Sequence, residues 1–336
     1  MQELGSSMYC WPPAPGAPMP SRDIQLIAED GYKLQATLFS PPKPYASRVG
    51  IVINSATGVH RRFYKRFAGF LADKFGFTVL TYDYRGIGDS RPPRIRSFSN
   101  RIRDWAQLDM PAAIAGLRAE ARPERMCLLG HSAGGNLIGL VPNISLVDRV
   151  VFVSAQFGYW RLWPASIRYA LAALWYVVVP GLSRLFGYVP GWLGAGQHWP
   201  KSVALELARW CRHPDYLFGD SSLDTAGYGT IDVPLLALTF TDDPHASAAA
   251  SERLLREFPS ASITRRPVDP RELGLRRIGH FGFFRPFCEP LWRECGKWMS
   301  ASGTVDCASV HRDAASCVDR QNANVRSQRH DTRERL

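Results

Sequence analysis

No CxxC pair and no metal-ligand spacing occurs among the cysteines of this chain (Cys10, Cys127, Cys211, Cys288, Cys295, Cys307 and Cys317), and their number, seven, is odd. That excludes a zinc ribbon and argues against a disulfide-stapled scaffold. The first 22 residues lack the basic start and apolar core of a signal peptide. The thiols are therefore expected to be reduced and the protein cytoplasmic, with Cys127 a small core residue inside an apolar run. Long hydrophobic runs are missing too. The longest, residues 169–182, is interrupted by Pro180-Gly181 and falls below the ~20 residues that cross a bilayer. An integral span is not expected, and contact with a membrane surface stays open. Positive charge is plentiful but not concentrated. The formal net charge is +11 and the pI about 9.5. No lysine-rich block stands out, and the short basic clusters at 161–168 and 271–277 are isolated. This favours a scattered basic surface over a nucleic-acid partner.

What is present suits a large core: 336 residues, 46% of them hydrophobic and 21% charged. Residues 1–22 are proline-rich and aperiodic, and residues 302–336 are polar with mixed charge; both read as extensions outside the folded body. Within the body, 24–28 and 32–39 form a predicted hairpin through Glu29-Asp30-Gly31. Further strands are expected at 49–53, 77–82, 126–129, 150–153, 235–240 and 261–264. Helices are expected at 63–75, 105–117, 247–258 and 289–299. Strands alternating with helices imply a mostly parallel sheet with helices on both faces, an α/β fold. One segment, 157–230, breaks the alternation. It is rich in aromatic residues and its helical stretches are cut by Pro164, Pro180, Pro190 and Pro200. It reads as an inserted helical cap between core segments 23–156 and 231–301, most of its rings forming the cap's own core.

The chemistry is carried by Met126-Cys127-Leu128-Leu129-Gly130-His131-Ser132-Ala133-Gly134-Gly135. An apolar run ending in Gly-x-Ser-x-Gly is the sequence form of a strand that turns sharply into a helix with a serine at the apex. Gly130 and Gly134 are required because a Cβ there would meet a neighbouring element. A serine in that position needs a base, an acid to orient the base, and donors for the oxyanion.

Four further motifs follow the same order as in a known fold. They are Asp83-Tyr84-Arg85-Gly86-Ile87-Gly88-Asp89-Ser90, the strand 49–54 followed by Ser55-Ala56-Thr57-Gly58, the strand 235–240 ending in Thr241-Asp242-Asp243-Pro244, and Ile278-Gly279-His280-Phe281-Gly282-Phe283-Phe284. With the elbow they make residues 23–300 resemble an α/β-hydrolase. The Phe240–Asp243 and Gly279–Phe284 blocks are similar to a group of predicted hydrolases related to the serine aminopeptidase and monoglyceride lipase-like branch. The resemblance implies a Ser-His-Asp triad of Ser132, His280 and Asp243, with Asp242 the alternative acid. It implies oxyanion donors at Ala133 and Thr57, with Ala56 the alternative, aided by the dipole of the helix after Ser132. Ser55-Ala56 stands where the family usually has His-Gly. Asp83, Arg85 and Asp89 read as structural, His131 as the elbow's variable position, and His60 as a residue for the site mouth.

The expected function is a serine hydrolase cleaving carboxylic esters or thioesters with an apolar acyl part, needing no cofactor and no metal. A peptidase of the aminopeptidase kind or an acyltransferase would use the same residues. An aminopeptidase needs a cap acid for the substrate amine, and the cap offers only Glu206, Asp215, Asp220 and Asp224. A catalytically silent binding module is the alternative of another class.

Overall fold

Five continuously apolar runs become neighbouring buried strands because their side chains alternate between two separate cores. In the computed structural model, which describes residues 20–41, 47–193 and 196–301, these runs are β3 (Val49–Asn54), β4 (Thr78–Tyr82), β5 (Arg125–His131), β6 (Arg149–Val153) and β9 (Pro234–Phe240). Val52, Leu80, Leu128 and Val150 pack on one face of the sheet. Ile51, Ile53, Val79, Leu129 and Val151 pack on the other. A period of two over a fully apolar run is the signature of a strand buried on both sides. The proline-rich start and the polar tail, with Cys10, Cys307 and Cys317, lie outside the described residues.

The hairpin β1 (Ser21–Ile27) and β2 (Lys33–Phe39) lies at one edge and β10 (Ser262–Val268) at the other, giving the order β1-β2-β4-β3-β5-β6-β9-β10. β1 with β2 and β2 with β4 are antiparallel; the remaining pairs are parallel. The parallel strands therefore end on one rim, where the loops after Asn54, His131, Val153, Phe240 and Val268 gather. Ligand sites of such sheets form on that rim. The described cysteines Cys127, Cys211, Cys288 and Cys295 are buried and free, and burial pushes the Cys127 thiol up to about 12.

Two prolines sit inside helices, where a proline ordinarily ends or kinks the helix. Residues 102–121 are continuously helical through Pro111, and Ala165–Phe186 is one helix through Pro180. In each case the preceding turn, Trp105–Asp109 or Leu174–Val178, is closed by wider i→i+5 hydrogen bonds. Met110 N–H donates to the Trp105 carbonyl and Val179 N–H to that of Leu174. Proline has no N–H to lose at that place, and the widened turn takes up its ring. The expected break at Pro180 is thus absent. The resulting helix has 22 residues and is long and apolar enough, by length and composition, to cross a membrane, extending beyond the apolar run 169–182 at both ends.

The inserted segment also departs from expectation in its packing. Trp210, Tyr216, Leu217 and Tyr228 belong to the main core, with Leu128 and Phe152. Among the described residues the separate cap cluster buries Val179, Val189, Ala204 and Ala208, with Leu174, Trp175, Leu193 and Trp199 packed partly buried against it. The short strands β7 (Tyr188–Val189) and β8 (Trp199–Pro200) pair beneath the long helix. An ion-pair group fixes the insertion to the body: Arg103 contacts Glu206 at 2.6 Å and Asp220 at 2.8 Å.

Candidate active site

Ser132 stands at the end of β5 with φ 53° and ψ −121°, a backbone conformation that costs a non-glycine residue of order 1–3 kcal/mol. The surrounding glycines make the turn feasible. A Cβ at Gly130 would lie 2.4 Å from the Gly135 Cα, and one at Gly134 would lie 2.3 Å from the Asn54 carbonyl oxygen. The two glycines therefore let the elbow close against its own helix and against the end of β3, as the motif requires. That helix is a single turn, Ala133–Asn136, followed by a 3-10 turn at Ile138–Leu140. The Tyr228 ring stands beside Gly139 in that 3-10 turn, and its hydroxyl donates to the Asn136 carbonyl. The helix dipole expected there is correspondingly short.

The two adjacent acids after β9 have different partners. Asp243 accepts from His280 Nδ1 at 2.8 and 3.1 Å. Asp242 accepts from the backbone N–H groups of Ile278 and Gly279 at 2.9 and 3.0 Å. It holds the histidine loop by its backbone while Asp243 holds the ring, and Gly279 permits the turn with φ 60°. Burial works to raise the Asp243 carboxyl, but hydrogen bonding and charge from His280 outweigh it and keep the group below its ordinary value. An ionised Asp243 accepts from a proton-bearing Nδ1, which leaves Nε2 as the ring's other nitrogen, free of Asp243. Ser132, His280 and Asp243 are 7%, 7% and 8% exposed, so the site is nearly closed to solvent.

His131 connects the nucleophile's strand to both flanking loops. Its Nε2 donates to the His280 carbonyl at 2.9 Å. A carbonyl only accepts, so Nε2 carries the proton and Nδ1 is the acceptor of the Tyr64 hydroxyl at 2.9 Å. That hydroxyl in turn accepts from Ala56 N–H at 2.9 Å. Complete burial, with the His280 ring adjacent, lowers the His131 pKa to about 3, so the ring is neutral. The chain of bonds runs from the loop after β3 to the histidine loop through the residue before Ser132. It also commits the Ala56 N–H, whereas no hydrogen bond engages the Thr57 N–H among the described residues.

Tyr64 and Gln156 were not found by sequence reasoning. Gln156 Nε2 lies 3.4 Å from Ser132 Oγ, and its backbone N–H donates to Asn136 Oδ1 at 3.0 Å. No direct hydrogen bond joins Ser132 Oγ to His280 among the described residues; such bonds often tighten only with substrate bound. The remaining sequence candidates sit in ion pairs. Arg61 Nη1 contacts Asp83 at 2.5 Å and Asp89 at 2.7 Å. Arg85 contacts Asp109 at 2.7 Å and Asp30 at 2.6 Å. His60 lies 3.5 Å from both Asp83 and Asp89. The ligand atoms of these three residues are within 4.8 Å of one another, but the Arg61 guanidinium already supplies the positive charge between the carboxylates.

Over residues 51–289 the sequence matches the alpha/beta hydrolase family. The chain belongs to that family. The match spans β3 through the histidine loop and so contains every candidate site residue of this hydrolase. No curated protein matches the sequence. Among solved structures, a hypothetical protein from Pseudomonas aeruginosa superposes with TM-score 0.58 at 15% identity, over 89% of this chain and 98% of its own. An esterase from Exiguobacterium antarcticum gives TM-score 0.54 at 15% identity, over 82% of this chain and 99% of its own. An esterase from Pyrococcus furiosus gives 0.50 at 15% identity, over 84% and 92%. At this identity the likeness is one of fold.

Proposed function

We propose that this hydrolase is a serine esterase acting on carboxylic esters or thioesters with an apolar acyl part. The observation that carries the reading is the strained Ser132 turn, set one residue from His131, whose ring holds the carbonyl of the Asp243-bound His280. Ser132 Oγ attacks the acyl carbon and His280 Nε2 takes its proton; Asp243 steadies the imidazolium. Ala133 and Thr57 N–H groups receive the oxyanion. His280 returns the proton to the leaving alcohol or thiol. Water, deprotonated by the same nitrogen, then releases the acid and frees Ser132.

An ester fits better than a peptide N-terminus because the buried cap acids are already committed. Glu206 and Asp220 are bound by Arg103, and Asp220 also by Arg209 and Trp210 Nε1. Asp215 and Asp224 are exposed. The side chains beside Ser132, Ala133 and Gln156, carry no charge, which suits an uncharged acyl group. Labelling with a fluorophosphonate tests the reading. Wild type is expected to form a covalent adduct that Ser132→Ala abolishes, and absence of a Ser132-dependent adduct would overturn it. Activity on p-nitrophenyl esters is expected to rise with acyl length; a flat profile would remove the apolar acyl preference.

A further inference from the structure

The cap helix Ala165–Phe186 is apolar on both sides. Its inner side packs Leu174, Trp175 and Val179 against the cap cluster. Its outer side presents Tyr169, Ala170, Ala173, Tyr176, Val177, Gly181, Arg184 and Leu185 to solvent, a row in which Arg184 is the one charge. Val177 is 67% exposed and Leu185 74%. The strip from Tyr169 to Leu185 is ~24 Å long at the helical rise. Trp192, also exposed, adds an indole from the same insertion. Five of the eight large apolar side chains exposed among the described residues lie in this one segment, Ile27, Leu146 and Phe287 being the others. Soluble helices ordinarily turn a polar face outward, and a contiguous apolar patch marks a contact surface.

The charge around the strip identifies the partner. From residue 149 to residue 205 the chain contains no Asp or Glu. The next acid, Glu206, is buried against Arg103. Arg168 and Arg184 lie on the helix, Arg161 just before it and Arg212 against Tyr176, and none makes a salt bridge among the described residues. Arg161 and Arg168 stand with Trp160 and Tyr169 around one shallow recess, each guanidinium about 5 Å from a ring centroid. Apolar side chains, interfacial Tyr and Trp, and unopposed arginines are what an anionic bilayer surface binds. A second copy of this chain would set these arginines against one another instead.

We propose that the outer face of the cap helix docks this protein on anionic membranes, with the helix lying in the plane of the interface. Its inner face stays on the cap cluster, so docking needs no unfolding of the insertion. Flotation of the full chain with phosphatidylcholine vesicles, with and without phosphatidylserine, tests this. Binding is expected with phosphatidylserine and is expected to weaken at about 1 M salt, where the screening length is ~3 Å. The triple variant Tyr176→Ser/Val177→Ser/Leu185→Ser and the pair Arg161→Glu/Arg168→Glu should each lower bound protein about tenfold or more. Both should leave hydrolysis of a soluble short-chain ester unchanged, and Ser132→Ala should bind vesicles like wild type. Failure to float, or flotation unaffected by both variants, would overturn the proposal. A concentration-dependent dimer dissolved by the triple variant, without vesicle binding, would overturn it in favour of a second copy.

Discussion

Replacing His131 by Gln should change how stability depends on pH. The imidazole is held neutral at about 3 in the folded protein, against an ordinary value of 6.5. A histidine lowered by folding binds its proton in the unfolded chain first. Its stabilising contribution is complete above about pH 6.5 and is lost as pH falls toward the folded value. Each pH unit in that window removes ~1.4 kcal/mol, so about pH 4.5 corresponds to a loss of roughly 2.7 kcal/mol. In His131→Gln the amide nitrogen still donates to the His280 carbonyl, but the acceptor for the Tyr64 hydroxyl is gone. At about pH 8 the variant should be less stable by roughly 1–3 kcal/mol, the cost of an unsatisfied buried group. Below about pH 6 the gap should close by ~1.4 kcal/mol per unit, because only wild type must keep an imidazole unprotonated. Urea unfolding followed by circular dichroism across this range reads both curves. Titrating groups remote from His131 are common to the two proteins and cancel in the difference. Parallel curves would refute the buried neutral ring and the hydrogen-bond chain built on it.

The two acids after β9 should separate by their effects. Asp243→Asn is expected to reduce kcat/KM by about 10³–10⁴-fold through loss of the correct His280 tautomer. Asp242→Asn should act mainly on stability, by roughly 1–3 kcal/mol, since it loosens bonds to two backbone N–H groups. A larger loss of activity at Asp242 would reassign the orienting acid. Gly134→Ala should cost about 3 kcal/mol or more, because backbone rather than a movable side chain stands 2.3 Å from the new Cβ. Gly229→Ala meets nothing within 4 Å in the helix Ala226–Thr230 and should be neutral or stabilising by ~0.4–1 kcal/mol. Thermal melts of the pair check both, and equal effects would refute the crowding argument.

The elbow was legible because its constraints are local. Gly130, Ser132 and Gly134 sit within five residues, and each is needed for a turn the sequence can describe by itself. The Asp243–His280 contact was legible in a weaker sense, since an acid at a strand end and a histidine in a later loop must meet if the strands lie on one rim. The sequence could not choose between Asp242 and Asp243 on charge. The difference lies in which partner each loop position faces, a ring or two backbone amides. Tyr64 was invisible for a plainer reason: it meets His131 across 67 residues, and a buried tyrosine in a helical run gives no sign of what its hydroxyl bonds.

The cap was the least legible part, and the physical reason also bears on its role. Pro180 reads as a helix stop only if the helix before it is a regular one. A single widened turn at Leu174–Val178 removes the conflict, and nothing in Leu174-Trp175-Tyr176-Val177-Val178 announces that turn. Once the helix runs unbroken from Ala165 to Phe186, its apolar residues outnumber what one buried face can use. The separate core beneath it is small, four buried residues, so the surplus must face outward. Periodicity distinguishes a buried stripe from a polar one, but it cannot tell an inner apolar stripe from an outer one. In this protein the same aromatic richness that suggested a cap core therefore divides three ways: Trp210 and Tyr216 into the main core, Trp175 into the cap cluster, and Tyr169, Tyr176 and Trp192 onto the surface. That division places an apolar surface on an acid-free stretch, 149–205, of a hydrolase whose Ser132 is itself almost closed to water. A substrate partitioned into a membrane would be concentrated at that surface before it reached the serine. If the docking proposal holds, hydrolysis of a long-chain ester in anionic vesicles should fall in the Tyr176→Ser/Val177→Ser/Leu185→Ser variant while hydrolysis of a soluble short ester does not.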